Sequence, residues 1–329
     1  MTQAILVTGG AGFIGSHTCK QLAADGLLPV TFDNLSTGHR DAVKWGPLVE
    51  GDIRNTDALI ATLRLHAPAA VIHFAASAYV GESVTDPAAY YQNNVEGTRS
   101  LLEACRLTGV KAVIFSSSCA TYGSPAQMPI TESMPQVPIN PYGRTKLIGE
   151  QMLDDYAAAY GCRFIALRYF NACGADPDGE IGERHTPETH LIPRALLAAA
   201  GLLPFLEVFG NDYPTPDGTC IRDYVHVTDL ARAHVLAARR LLDGGDSLKV
   251  NLGSGTGHSI REVLEAIARV VGHQVPVVYR DRRRGDPAEL YADVSLAREA
   301  LGFVARHSDL DTIVSTALPW FTEQMRHVG

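Results

Sequence analysis

Gly9, Gly12 and Gly15 stand three residues apart, directly after the apolar run Ala4-Ile5-Leu6-Val7-Thr8 and at the opening of a helical period that runs from Phe13 to Ala24. An apolar run ending at glycines reads as a buried parallel strand. Glycines at the strand–helix junction permit a tight turn and let the backbone approach a pyrophosphate, which then lies at the positive end of the helix. A strand–loop–helix unit of this kind predicts a dinucleotide-binding α/β fold. Gly9, Gly12, Phe13, Ile14 and Gly15 form the candidate phosphate cradle.

The remaining first half keeps the same rhythm. Strands are predicted at 29–33, 48–50, 70–74, 111–116 and 163–169, with helices near 56–65, from Asp86-Pro87 to about Thr108, and from Pro141 to Tyr160. Asp before Pro is a helix start, because Asp caps and Pro fits the first turn. Strands alternating with helices give a parallel sheet covered on both faces, a Rossmann-type doubly wound architecture. After Asn171 the alternation breaks, and residues 174–190 are rich in Gly, Pro, Asp and Glu. We therefore expect a dinucleotide-binding domain over 1–173 and a smaller C-terminal α/β substrate-binding lobe over 174–329, with residues roughly 225–252 returning to the first. In that lobe helices are predicted at 191–200, 228–242 and 259–271 and strands at 207–209, 249–251 and 275–279.

Bulk properties bound the function. With 329 residues and 46% hydrophobic content, the chain can bury two cores. A net charge of −8 gives no reason to expect a nucleic-acid partner or an anionic membrane surface. No apolar run reaches the ~20 residues that a membrane span needs. Met1-Thr2-Gln3 leads straight into the first strand, with no signal-peptide pattern. Six cysteines are scattered without a Cys-x-x-Cys pair, which predicts reduced thiols and a cytoplasmic location.

Asp33 closes the second strand, where a carboxylate accepts hydrogen bonds from ribose hydroxyls and repels a 2′-phosphate. Asn34-Leu35-Ser36 follows with no basic residue, so NAD is favoured over NADP. Asp52-Ile53, after the third strand, falls where an adenine ring is contacted; Asp52 capping the next helix is the competing reading. Ser116-Ser117-Ser118 ends the fifth strand, at the carboxyl edge where open α/β sheets bind ligands. Tyr142 and Lys146, four apart, share one face of the next helix. An isolated pair of this kind is most often ordinary helix surface. Its position after the three serines points to proton transfer, with the lysine cation expected to lower the tyrosine pKa from about 10.

The Ser-Tyr-Lys order and the spacing of the glycines resemble the extended short-chain dehydrogenase/reductase superfamily. Longer stretches sharpen this: Val80-Gly81-Glu82-Ser83, Tyr90-Tyr91-Gln92-Asn93-Asn94-Val95, Pro141-Tyr142-Gly143, Arg168-Tyr169-Phe170-Asn171, Phe209–Thr215 and Arg222–Val227. Together they resemble the UDP-glucose 4-epimerase family over nearly the whole chain. The resemblance implies tightly held NAD, a UDP-sugar substrate oxidised at C4 to a 4-keto sugar, rotation of that sugar, and reduction on its other face. It implies Tyr142 as the base, Lys146 as its tuner and a contact to the nicotinamide ribose, and Ser118 against the 4-hydroxyl. Asn34, Ile53, Phe74, Ala75, Asn94, Ser116 and Tyr169 would join the cofactor pocket. Asn171, His190, Leu191, Phe209, Arg222, Arg283 and Asp286 would hold uracil and diphosphate. Within the basic run Arg280–Arg284, Arg282 and Arg284 are left as solvated charge. A homodimer through the helices at 86–108 and 141–160 is a further expectation from the family.

Three positions depart from the family pattern. Ala78 stands where many members carry lysine, His190 where asparagine is common, and Leu290 where a pocket wall varies between tyrosine and a small residue. A UDP-xylose/UDP-arabinose 4-epimerase, or a mixed range of UDP-sugars, is the nearest alternative. A 4,6-dehydratase would need an acidic pair where Cys119-Ala120 follows Ser118. A non-catalytic NAD-binding sensor on the same fold is the alternative from another class.

Overall fold

The computed structural model describes residues 2–283 and 286–326; Arg284 therefore lies outside the described residues. In chain order the strands are β1 (Ala4–Thr8), β2 (Leu28–Asp33), β3 (Leu48–Glu50), β4 (Ala70–His73), β5 (Ala112–Ser118), β6 (Arg163–Tyr169), β7 (Asn171–Cys173), β8 (Leu206–Phe209), β9 (Ile221–His226), β10 (Leu248–Leu252), β11 (Gly257–Ser259), β12 (Val277–Arg280) and β13 (Glu289–Leu290). The helices are α1 (Phe13–Ala24), α2 (Thr56–His66), α3 (Val80–Thr85), α4 (Pro87–Tyr90), α5 (Gly97–Thr108), α6 (Pro141–Tyr160), α7 (Leu191–Ala199), α8 (Val227–Leu242), α9 (Ile260–Val271), α10 (Ser295–Leu301) and α11 (Leu310–Arg326).

Among the described residues, seven strands make one all-parallel sheet in the order β10-β6-β5-β4-β1-β2-β3. Strand order reverses between β1 and β4, so their carboxyl ends open a crevice, the usual ligand site of such sheets. Alternate side chains of each strand feed two cores. Ile5, Val7, Ile72, Ile114 and Leu167 pack with α1, α8 and α10. Leu6, Val71, Val113, Phe115 and Ala166 pack with α2, α5 and α6. Both faces are dry, which is why these strands read as continuous apolar runs.

The sheet takes β10 from beyond the substrate-lobe segments, and α8 covers it beside α1. The second lobe has its own core, built by α7, α9 and α11 with Leu206, Val208 and Tyr224. Its strands β11, β9, β13 and β7 form one small sheet, and β8 pairs with β12. β7, β9, β11, β13, α10 and α11 were not expected from the sequence. The strands are two to six residues long, too short to establish a period.

The helix expected from Asp86 to Thr108 starts as predicted, with the Asp86 carboxylate accepting from the Ala89 N–H. It is not regular: residues Tyr91–Glu96 form a π-helical turn between α4 and α5. The wider turn shifts the helix face and brings buried Asn94 inward, a common use of π-bulges at functional sites.

Candidate active site

The phosphate cradle is fixed by two close approaches. Gly9 has φ +75°, and a Cβ there would lie 2.6 Å from the Ala75 nitrogen at the end of β4. A Cβ on Gly15 would lie 2.1 Å from the Gly9 carbonyl oxygen. No side chain caps the start of α1, so its first N–H groups remain available for an anion. Phe13 opens this helix, Ile14 packs on the first core, and the Phe74 ring lies tilted against His234, 4.5 Å between centres.

Asp33 is buried and accepts from the backbone N–H of Ala11 (3.0 Å) and of Leu35 (2.8 Å). Burial pushes its carboxyl up, and the two N–H donors oppose that shift. Leu35, a bulky residue held at φ +57°, is the strained position that makes the second of these bonds. Each carboxylate oxygen keeps lone pairs for ribose hydroxyls. These features fit a dinucleotide: an uncapped helix end for its phosphates, a cradle that a Cβ would fill, and an acceptor at the ribose.

Asp52 does not cap the following helix; Asn55 does, accepting from the Ala58 N–H. The Arg54 guanidinium beside Asp52 holds its carboxyl at about 2, and Asn34 donates to it at 3.3 Å. Ile53 is buried against Gly97 at the start of α5.

The reacting end is built on β5 and α6. Asn140 caps α6, accepting from the Gly143 N–H at 2.8 Å, and Pro141 occupies its first position. Tyr142 therefore sits in the first helical turn, where the helix dipole favours a negative charge. Lys146, one turn on, is buried and donates from Nζ to the Ser116 carbonyl oxygen at 2.7 Å. Asn94 braces the same turn: Nδ2 donates to Thr145 Oγ1 (3.0 Å) and to the Ser77 carbonyl (3.0 Å), while Oδ1 accepts from the Ser77 N–H (2.8 Å). The Ser116 hydroxyl bonds to the Tyr169 hydroxyl on β6. Ser118 Oγ accepts from the Ala120 N–H at 3.1 Å.

The titration of this pair corrects the expectation from sequence. Burial pushes the Tyr142 phenol up to about 12, against the smaller opposing influence of the Ser118 hydroxyl. Burial also brings Lys146 down to about 7. Desolvation outweighs the attraction between the two because the lysine nitrogen points to Ser116, 5.9 Å from the Tyr142 ring centre.

Beneath these residues lies an ion pair the sequence reading missed. Arg168 donates to both oxygens of Glu150 at 2.9 and 2.6 Å, and Ser117 Oγ adds a bond of 2.5 Å to the same carboxylate. Both partners are buried. The available signal was spacing: Glu150 falls four residues after Lys146 on α6, and Arg168 directly precedes Tyr169.

Of the expected substrate residues, Arg222, Asp286 and Asn171 meet at β9. Arg222 Nη2 donates to Asp286 at 2.5 Å, and Asn171 Nδ2 donates to the Asp223 carbonyl at 3.1 Å. Arg283 lies over Phe209, 4.0 Å from its ring centre. Arg282, read as solvated charge, pairs at the surface with Asp212 and stacks 4.4 Å from the Tyr213 ring centre. Leu290 stands opposite Arg222 in register and packs against the buried cluster of Tyr122, Ile130, Phe170 and Ala292, as does Cys119, the residue after Ser118. Leu191 opens α7, whose N-terminus has no side-chain cap. His190 is not free: its Nδ1 lies 2.8 Å from Glu183 and 3.0 Å from Glu188, which outweigh burial and raise it to about 10.

Residues 5–253 match the model of the NAD dependent epimerase/dehydratase family. A UDP-glucose 4-epimerase of Rhizobium leguminosarum bv. trifolii is 53% identical over 325 residues, covering 99% of each chain. The structure of UDP-glucose 4-epimerase from Brucella ovis in complex with NAD superposes with a TM-score of 0.96 at 66% identity, over 97% of this chain and 98% of that one. A UDP-glucose-4-epimerase from Stenotrophomonas maltophila, with bound NAD and formylated UDP-arabinopyranose, gives 0.96 at 42% identity over 99% of both chains.

Proposed function

The chain belongs to the NAD dependent epimerase/dehydratase family, among the UDP-glucose 4-epimerases, and from that premise we propose how it interconverts UDP-glucose and UDP-galactose. The observation that carries the reading is the buried set of Tyr142, Lys146 and Ser118 at the carboxyl edge of the sheet, beside a cradle suited to a dinucleotide.

The cradle from Gly9 to Gly15, Asp33 and Lys146 would hold NAD, and Asn94 braces its site. When bound, NAD supplies the two-electron exchange at C4 and a positive ring beside Tyr142. Tyr142 removes the proton from the sugar O4 and returns it to O4 once the sugar has turned its other face to the site. A phenol raised by burial stays protonated until positive charge stands next to it, so base strength appears only in the loaded site. Ser118 orients O4. Lys146, anchored by the Ser116 carbonyl, keeps its remaining two donors for the ribose.

Phe209 under Arg283 forms a platform for uracil, and Arg222 with the uncapped start of α7 receives the diphosphate. Firm binding of the nucleotide leaves the sugar free to turn. Asn171 completes this side. UDP-pentoses are the second reading, because the related Stenotrophomonas maltophila enzyme holds a UDP-arabinopyranose derivative and Leu290 is only a medium-sized wall.

The protein acts as a homodimer in the cytoplasm on this reading. Exposed Leu107 on α5 and Tyr160 on α6 support the helix–helix contact, and six free cysteines suit a reducing compartment. Among the described residues no helix is long and apolar enough to cross a membrane.

The test is an assay of the purified protein, without added NAD, on UDP-galactose, UDP-glucose, their N-acetyl forms and UDP-xylose, beside Tyr142→Phe. Hexose interconversion without net NADH, lost in the variant, is the expected result. Turnover of UDP-xylose alone would replace it with the pentose reading, and NAD retained without any turnover would make the protein a binder.

A further inference from the structure

The loop before α7 carries a second constellation of donors. Glu183, His185, Glu188 and His190 bring four ligand atoms within 4.8 Å of one another. His190 Nδ1 lies 2.8 Å from Glu183 Oε1 and 3.0 Å from Glu188 Oε1. His185 Nδ1 lies 3.0 Å from Glu183 Oε1 and 3.7 Å from Glu188 Oε2. A tetrahedron with bonds of about 2.05 Å, the ordinary length for zinc with nitrogen or oxygen, has edges of about 3.3 Å. The separations run from 2.8 to 3.7 Å and involve both oxygens of Glu188, of which an ion takes one.

Two features separate this group from a surface cluster. Glu183 is 3% exposed, so its carboxylate needs positive charge close by, which the protonated His190 supplies in the metal-free chain and an ion would supply in its place. His185 Nδ1 is buried 3.0 Å from Glu183 Oε1 without a well-aligned hydrogen bond, although against its burial the two carboxylates raise the imidazole to about 9, so an ion there displaces a proton. The frame is fixed as well. Glu188 Oε1 accepts from the His190 N–H at 2.8 Å, and Trp320 Nε1 donates to the Glu183 carbonyl at 2.9 Å.

We propose that Glu183, His185, Glu188 and His190 bind one divalent transition-metal ion of the zinc class, through two imidazole nitrogens and two carboxylate oxygens. Two neutral imidazoles and two carboxylates balance the ion's charge, and this donor set suits four-coordinate zinc. The ion clips the loop in place. That loop already meets the cofactor side: Arg184 pairs with Asp41, its carbonyl lies 3.3 Å from His39 Nε2, and Gly182 and His185 share a small cavity with Gly12, Phe13 and Ser16. The metal thus stiffens the wall over the first turn of α1, where the dinucleotide phosphates sit. The ion is structural; it takes no part in the proton transfer at Tyr142.

The experiment uses untagged holoprotein, stripped of metal with a chelator, incubated with zinc or cobalt(II) and desalted. Metal content is measured by elemental analysis and the cobalt form by visible absorption. Wild type should retain about one ion per chain with a tetrahedral cobalt spectrum lacking thiolate charge-transfer bands. His185→Gln and, separately, Glu188→Gln should each weaken binding at least tenfold while circular dichroism shows the fold retained. Two variants on different donors guard against one failing to fold. No retained metal in the wild type would overturn the site in favour of imidazolium–carboxylate pairing. Unchanged binding in both variants, or a thiolate signature from the cysteines, would overturn it equally.

Discussion

Lys146 Nζ and the Ser116 carbonyl oxygen, 2.7 Å apart, tie α6 to the end of β5 at the point where the chemistry takes place. The bond fixes the lysine's direction but gives it no countercharge. The folded chain therefore holds this ammonium at a cost.

Lys146→Met should lower kcat at least 100-fold and yet raise the melting temperature of the cofactor-stripped chain. The folded pKa, about 7, lies below the unfolded value near 10.4, so between these values the unfolded chain binds more protons. The wild-type penalty is full below about pH 7 and fades as pH rises toward 10. The methionine variant's advantage, on the order of 2 kcal/mol, should shrink in the same direction. Thermal melts between pH 6.5 and 9.5 check this; an advantage independent of pH would show that packing, not charge, decides it.

Glu150→Gln should destabilise by about 3 kcal/mol, because it leaves Arg168 charged and buried without its partner. Burial alone would raise the Glu150 carboxyl, and Arg168 more than reverses it, leaving it below its ordinary range. Its contribution is thus present above the unfolded pKa and lost as pH falls through the lower folded value. Urea titrations at pH 7 and pH 4 should show a gap between wild type and variant that narrows in acid.

Gly15→Ala should abolish NAD retention. Its Cβ would press on the Gly9 carbonyl at 2.1 Å, and the loop opens to relieve that contact. Absorbance at 260 nm of perchloric-acid extracts reads the bound cofactor directly. Near-stoichiometric NAD in this variant would refute the cradle.

Leu290→Ala should raise kcat/KM for N-acetylated UDP-hexoses about tenfold relative to the plain hexoses. Leu290 and Cys119, the residue after Ser118, pack against one buried cluster, and on the proposed reading shortening Leu290 opens space for an acetamido group. Initial rates on the four hexose substrates decide this, and an unchanged ratio would remove Leu290 from the pocket.

The sheet was readable because its central strands are apolar runs buried on both faces and most of them alternate with helices. Gly9, Asp33, Ser116 and Tyr142 could be placed for the same reason: each sits at a strand end or in a first helical turn, positions that local pattern defines. Residues whose role depends on distant partners were not readable. Glu150 and Arg168 are 18 positions apart, and their pairing needs α6 laid on β6. The π turn at Tyr91–Glu96 leaves no compositional mark; a regular helix there would turn Asn94 to another face. The direction of the Tyr142 shift was missed because spacing reports proximity to Lys146 and says nothing of burial.

The position of β10 bears on how the chain is made. Its partner β6 is complete once residue 169 has been synthesised, but it remains the outer strand until residues 248–252 emerge. Through some eighty residues of elongation the nascent sheet presents an unpaired, apolar edge, with α8 not yet laid over one face. A fragment ending near residue 173 would hold that condition permanently. It should need a chaperone, or the missing half added in trans, to stay in solution.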